Sequence, residues 1–306
     1  MEKWNNAQWL QDFDVAKRNR DTHGVRKIVF ESTLRICKDR VYESQSGKIV
    51  HLSLSDTIEQ DTRFYVKEIP QITPQYSHNT QYYVHNGDCL EYAKGLVDRF
   101  GNDSVCVLNL ASRRNPGGGV LGGAGAQEEY LFRCSDYFRS LYQYADFAYQ
   151  YSQYGIHQHP QYRYPMDQNF GGSFSKGITI FRDNEEKGYA LIDDPWRVNM
   201  VAVAGINHPA LTRDGHLINQ MSEGNRNKIR TILRIAYLNG QKHLVLGALG
   251  CGAFGNPPQD IANLFKEELF GKEFNGAFES VHFAIKVDHN DPRNVNYNTF
   301  KETFIN

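Results

Sequence analysis

The run Val105-Cys106-Val107-Leu108-Asn109-Leu110 leads within seven residues to three consecutive glycines, Gly117-Gly118-Gly119. No other feature narrows the fold as much. A strand apolar at nearly every position is covered on both faces, as in a parallel or mixed sheet between helices. Consecutive glycines beyond its carboxyl end let the backbone approach a neighbour with no Cβ in the way. A second apolar stretch, residues 243–249, runs straight into Gly250-Cys251-Gly252-Ala253-Phe254-Gly255-Asn256-Pro257-Pro258. Further candidate strands lie at 82–85, 198–204 and 280–287. A turn at Asn86-Gly87-Asp88 opens a candidate helix at 89–100, and Ile229, Ile232, Leu233, Ile235 and Ala236 mark an amphipathic helix at 224–239. Strands alternating with helices predict a layered α/β domain. Ahead of it, Trp9, Phe13 and Ala16 recur at helical spacing, and a second helix is expected from Val25 to about Lys38. Residues 41–80 carry short extended pieces broken by Pro70 and Pro74.

Composition excludes several classes. With 34 Lys+Arg against 35 Asp+Glu the net charge is -1, so no general field attracts nucleic acid, and a phosphate-bearing ligand needs a local site. No run of about 18 apolar residues exists to span a membrane, and Met1-Glu2-Lys3-Trp4-Asn5-Asn6 lacks the apolar core of a signal peptide. Five scattered cysteines without a Cys-x-x-Cys spacing point to a reducing cytoplasm. Residues 142–164 hold seven of the eighteen tyrosines. With no basic residue among them until Arg163, they read as a tyrosine-rich surface helix and loop, since a strand-binding groove interleaves aromatics with cations.

Beyond a strand's carboxyl end is where open α/β sheets bind ligands. Each glycine loop is compatible with a phosphate cradle and with a tight strand-to-helix turn; two such loops favour walls around a diphosphate. Phe254 offers a sugar an aromatic face or packs in the core. Glu128 and Glu129 follow the triplet after a seven-residue spacer and Gln127. At a helix start they are either residues complementing the dipole or a carboxyl pair delivered beside a bound sugar. Consecutive helical side chains diverge by about 100°, which lets one act as general acid while the other holds hydroxyls. Asp88 fits a helix N-cap as well as a ligand contact. Cys106 and Cys251 read as small packing residues, because no histidine is paired with them in sequence. His157 and His159 read as loop residues, and no metal-binding spacing occurs.

Asn115-Pro116-Gly117-Gly118-Gly119, the spacer, and Gln127-Glu128-Glu129 together resemble the signature of poly(ADP-ribose) glycohydrolases. The flanks, residues 108–112 and 250–258, are similar to the microbial-type branch, as are Glu31-Ser32-Thr33-Leu34 and Asn86-Gly87-Asp88-Cys89-Leu90. The resemblance implies a macrodomain, a three-layer α/β/α fold with a mixed central sheet, over residues 81–306, with a mainly helical extension over 1–80. It implies hydrolysis of ribose–ribose bonds in poly(ADP-ribose) with release of ADP-ribose and without a metal or cofactor. Glu129 would be the acid/base, and Glu128 would orient the distal ribose with help from Gln127 and Asn115. Gly117, Gly118 and Gly119 would bring amides to the ribose and diphosphate. Gly250, Cys251, Gly252, Ala253 and Phe254 would form the diphosphate loop, with Phe254 on the distal ribose, and Asp88 would accept from the adenine amino group. A non-catalytic reader of ADP-ribose would not need the glutamate pair. A hydrolase of single ADP-ribose units on protein or nucleic acid would use the same pocket. A monomer is expected.

Overall fold

The computed structural model describes residues 1–75, 77–287, 291 and 293–305. In chain order its main elements are β1 (Glu2–Lys3), α1 (Asn6–Arg18), α2 (His23–Asp39), β2 (Val41–Glu43), β3 (Ile49–His51), β4 (Thr62–Tyr65), β5 (Gln81–His85), α3 (Cys89–Phe100), β6 (Val105–Leu110) and α4 (Gln127–Cys134). There follow α5 (Phe138–Leu141), β7 (Gly172–Arg182), β8 (Leu191–Val203), α6 (Asn219–Leu238), β9 (His243–Leu246), α7 (Pro258–Leu269), β10 (Ser280–Ala284) and α8 (Val295–Ile305).

Seven strands form one sheet in the order β4-β7-β8-β6-β9-β10-β5, and β1-β2-β3 form a smaller one. Strand β6 pairs parallel with β8 and β9, and β10 pairs parallel with β9 and β5. Residues 183–190 alone join β7 to β8, and the Asp183 amide donates to the Ala190 carbonyl at 2.9 Å. A connection that short makes a hairpin, not a crossover. The sheet is therefore mixed, within an α/β fold. No helix among the described residues is long and apolar enough to cross a membrane.

By contact density the chain falls into two compact units, each built from separated segments. The first comprises residues 1–62, 114–165 and 175–197. Its α1 starts at Asn5, whose side chain accepts from the Gln8 amide, and ends with Lys17 and Arg18 in the last turn, where cations complement the dipole. Trp9 and Phe13 stack with centroids 4.7 Å apart, and Trp9 meets Tyr189 edge-on. Helix α2 buries Val29, Phe30, Ile36 and Cys37, and Phe30 meets Phe132 and Phe138. Arg182 is buried here, and burial pulls its guanidinium down to about 10. It stays charged near neutrality, donating to the Thr33 and Ser32 hydroxyls and the Tyr189 carbonyl under the Trp4 ring. Those bonds offset a desolvation cost of several kcal/mol. The tyrosine-rich segment is no surface strip: Tyr142, Tyr144 and Tyr164 are buried, while Tyr149 is exposed. Each aromatic body contributes far more apolar area than one hydroxyl costs.

The second unit comprises residues 63–113, 166–174 and 198–306. Strand β6 buries Val105, Cys106, Val107 and Leu108, matching its expected coverage on both faces. Its core joins Ile229, Ile232, Leu233 and Ile235 of α6 to Leu244, Leu246, Val281 and Phe283 of the sheet and to Phe265 and Phe300 of α7 and α8. Helix α6 begins five residues before the expected 224, because its polar opening Asn219-Gln220-Met221-Ser222-Glu223 has little apolar periodicity to read. Strands β9 and β10 end before the expected 249 and 287, and α3 spans 89–100 as expected.

Candidate active site

In the first unit the glycine loop and the start of α4 are pressed together. Gly117 has φ +77° and Gly118 φ +56°, left-handed conformations that favour glycine. A Cβ on Gly117 would lie 2.6 Å from the Phe132 ring. One on Gly118 would lie 2.3 Å from Glu129 Oε1 and 3.1 Å from Glu128 Oε2. The triplet is thus the surface against which both carboxylates are seated.

All three triplet amides have partners within the loop and the start of α4. The Gly117 amide donates to Glu128 Oε1 at 3.0 Å, and the Gly119 amide donates to Glu129 Oε1 at 2.8 Å. The Gly118 amide closes a turn onto the Asn115 carbonyl at 3.1 Å. The two neighbouring carboxylates, both seated against Gly118, are in this way each fixed by a separate amide. Glu128 and Glu129 are 2% and 6% exposed. Glu129 Oε2 is buried with no hydrogen-bond partner among the described residues. A buried unsatisfied carboxylate oxygen costs free energy unless something is to meet it. Gln127 is the first residue of α4, and Asn115 is exposed at the loop's start.

Two tyrosines missed by the sequence reading stand near the pair. Tyr142 and Tyr164 both lie within the field of Glu128. Burial pushes both phenols well above their ordinary range, with Tyr151 and then Glu128 adding at Tyr142 and Glu128 adding at Tyr164. Both remain protonated. Only their place in a polar, repetitive segment hid them.

In the second unit Asp88 caps α3, its Oδ1 accepting from the Leu90 and Glu91 amides at 2.9 and 3.1 Å. The cap is therefore real, whatever else the residue does. The loop after β9 differs from the triplet loop in one decisive respect. The Cys251 amide donates to Ala248 and the Gly255 amide to Gly252, but the amides of Gly252, Ala253 and Phe254 have no acceptor among the described residues. Gly252 and Ala253 are exposed, and Phe254 is half-buried instead of packed in the core. Three open amides just ahead of α7, which starts at Pro258, are the arrangement that accepts a phosphate. Burial raises the thiols of Cys106 and Cys251, which keeps both protonated.

The loop is shaped by Asn256, whose amide donates to the Ile206 and Gly250 carbonyls and accepts from Asn225. Gly250, at φ +72°, would bring a Cβ to 2.5 Å from Asn256 Nδ2. Gly250→Ala is expected to cost about 2–3 kcal/mol of stability by combining backbone strain with overpacking. A chemical-denaturation midpoint unchanged from wild type would refute this.

Residues 31–183, half of the chain, match the family model described as microbial-type PARG, catalytic domain. The chain belongs to the microbial-type PARG family. The matched segment of this PARG domain includes the glycine triplet and the glutamate pair. Among solved structures, the chain is similar to the poly(ADP-ribose) glycohydrolase of Thermomonospora curvata bound to the inhibitor ADP-HPD. The TM-score is 0.70 and the identity 28%, over 91% of this chain and 99% of that one. It is also similar to the Deinococcus radiodurans enzyme in complex with ADP-ribose, at TM-score 0.62 and 30% identity over 81% and 96% of the two chains. A comparison with curated proteins gives no match. The fold is that of PARG structures, macrodomain-like and α/β with a mixed sheet.

Proposed function

We propose that the chain is a poly(ADP-ribose) glycohydrolase that cleaves ribose–ribose O-glycosidic bonds with Glu129 as general acid and then general base. Family membership supports the activity. One observation carries the assignment of Glu129: a buried carboxyl held through Oε1 by the Gly119 amide, with Oε2 unpartnered. Protonated Glu129 gives its proton to the leaving ribose 2′ oxygen as the distal C1–O bond breaks. The oxocarbenium-like C1 is stabilised by the substrate's own diphosphate. The Glu129 carboxylate then takes a proton from a water whose oxygen bonds to C1, which restores the acid.

Glu128 binds the distal ribose hydroxyls, with Gln127 and Asn115 assisting. Gly117, Gly118 and Gly119 bring their backbone to the ribose and diphosphate, and the space their side chains would take is left to Phe132, Glu128, Glu129 and Ala124. Gly250, Cys251, Gly252, Ala253 and Phe254 hold the diphosphate, for which the three open amides are the support, and Phe254 meets the distal ribose. ADP-ribose in the Deinococcus structure and ADP-HPD in the Thermomonospora structure support this ligand class. The five free cysteines, four of them buried, support a reducing compartment, the cytoplasm. A single chain carries all the proposed groups, which supports action as a monomer.

The test is release of free ADP-ribose from labelled polymer by the wild-type protein. ADP-ribose binding without release would turn the assignment to a reader, and release only from singly modified acceptors to a mono-ADP-ribosyl hydrolase. Asp88 is proposed to accept from the adenine amino group. Asp88→Asn keeps a capping oxygen and Asp88→Ala removes it, so the Ala variant alone is expected to lose about 1 kcal/mol of stability. Both are expected to weaken ADP-ribose binding in calorimetry. Unchanged affinity in the Asn variant would leave Asp88 as a cap only.

A further inference from the structure

Helix α4 has no side-chain cap: Ala126 stands at its N-cap position and carries no oxygen. The helix start that delivers Glu128 and Glu129 is therefore held by something else. Gly123, at φ +83°, lies so close to α2 that an added Cβ would fall 2.0 Å from the His23 carbonyl oxygen. At Gly125 the place of a Cβ is taken by the Arg26 guanidinium, with Nη1 2.2 Å from it. Arg26 Nε and Nη2 donate to the two oxygens of Glu185 at 2.8 and 2.9 Å, and Nη1 donates to the Thr22 hydroxyl at 3.0 Å.

The other side of the same peptide is held too. Arg133, four residues after Glu129 on α4 and fully buried, donates through Nη1 to the Ala124 carbonyl at 2.7 Å. Its Nε donates to the Tyr189 hydroxyl at 2.9 Å, which in turn donates to Glu185 at 3.0 Å. Arg26, Glu185, Tyr189 and Arg133 thus close a circuit around residues 124–125, immediately before the catalytic helix. Burial disfavours the Arg26 charge but is outweighed by the hydrogen bonds and charge of Glu185.

We infer that Arg26, fixed by Glu185, is a positioning residue that holds the 123–126 loop so that Glu129 Oε2 meets the glycosidic oxygen. The inference rests on the proposed role of Glu129. A bidentate fork on a carboxylate sets an orientation that a single-donor ammonium does not. A small displacement of a proton donor costs turnover more than ground-state binding.

The test measures polymer turnover, ADP-ribose binding and amide hydrogen exchange in the full chain. Wild type is compared with Arg26→Met, Arg26→Lys, Glu185→Gln and the double variant Arg26→Met/Glu185→Gln. Arg26→Met is expected to lower kcat about 100-fold with KM within about threefold. Glu185→Gln should lose a similar factor, and the double variant no more than either alone, because the pair acts as a unit. Exchange at the Gly119 amide, which reports the seating of Glu129, should speed up ahead of the rest of the unit. Arg26→Lys keeps the charge and carries the same comparison if the Met variant fails to fold. Wild-type kcat with wild-type exchange at Gly119 would overturn the inference. So would exchange rising uniformly across the unit, which marks a merely structural role. If the wild-type protein released no ADP-ribose, the parent assignment would fail, and the Gly119 exchange would still decide whether the clamp exists.

Discussion

Glu129→Gln is expected to lower the rate of ADP-ribose release from polymer by a factor on the order of 10²–10⁴, the range for general acid–base catalysis. The substitution is nearly isosteric. The amide oxygen of glutamine still accepts from the Gly119 N–H, now at 2.8 Å from Glu129 Oε1, so the loop stays seated. What disappears is a group that both gives up and takes back a proton. ADP-ribose affinity should remain within about threefold, because an interaction made only in the transition state leaves ground-state binding alone. Parallel turnover and calorimetric titrations decide the matter. Appreciable turnover by the Gln variant would transfer the acid role to another residue, with Glu128 first in line.

Gly118→Ala is expected to lower kcat about 100-fold while costing only about 1 kcal/mol of stability. The added methyl would sit 2.3 Å from Glu129 Oε1 and 3.1 Å from Glu128 Oε2. Alanine tolerates φ +56° at modest cost, and the obstructing atoms are the ends of side chains that can swing aside. Folding therefore survives by moving both carboxylates, the one adjustment the proposed reaction does not tolerate. At Gly123 the obstruction would be the His23 backbone, which cannot swing aside. The signature to seek is a nearly unchanged denaturation midpoint with collapsed turnover. Activity within about threefold of wild type would show that the seating of the glutamates is looser than their hydrogen bonds imply.

The buried strands were readable because burial on both faces leaves an uninterrupted apolar record: β6 matches its expected range residue for residue. Helix α3 was equally legible, because Asp88 caps it and Gly101 ends it. Strand β7 escaped notice because its buried residues include Ser173, Ser175 and Thr179, which break the apolar pattern. Helices α7 and α8 were also not read. The glutamate pair and both glycine loops stood out as local spacing. Which amides are open and which are engaged did not, because hydrogen bonding depends on loop conformation and not on composition. Arg26 and Arg133 were invisible for a different reason. Arg26 is 159 residues from its partner Glu185, and a polar residue whose partner is that distant has no neighbouring pattern to betray it. Nor does any local pattern tell that residues 114–165 and 175–197 cluster with the first 62.

The bond between the Gly119 amide and Glu129 Oε1 also restricts where hydrogen can reside on the carboxyl group. A carboxylic acid's carbonyl oxygen is a better acceptor for an N–H than its hydroxyl oxygen, so the oxygen receiving the amide is favoured as the carbonyl of the acid form. The acidic hydrogen is left to Oε2, the oxygen without a partner. Of the two tautomers open to a free carboxylic acid, this site favours one. In the proposed reaction each cycle would start and end with the same oxygen carrying the hydrogen, so that the group would have no isomer to search between one bond cleavage and the next.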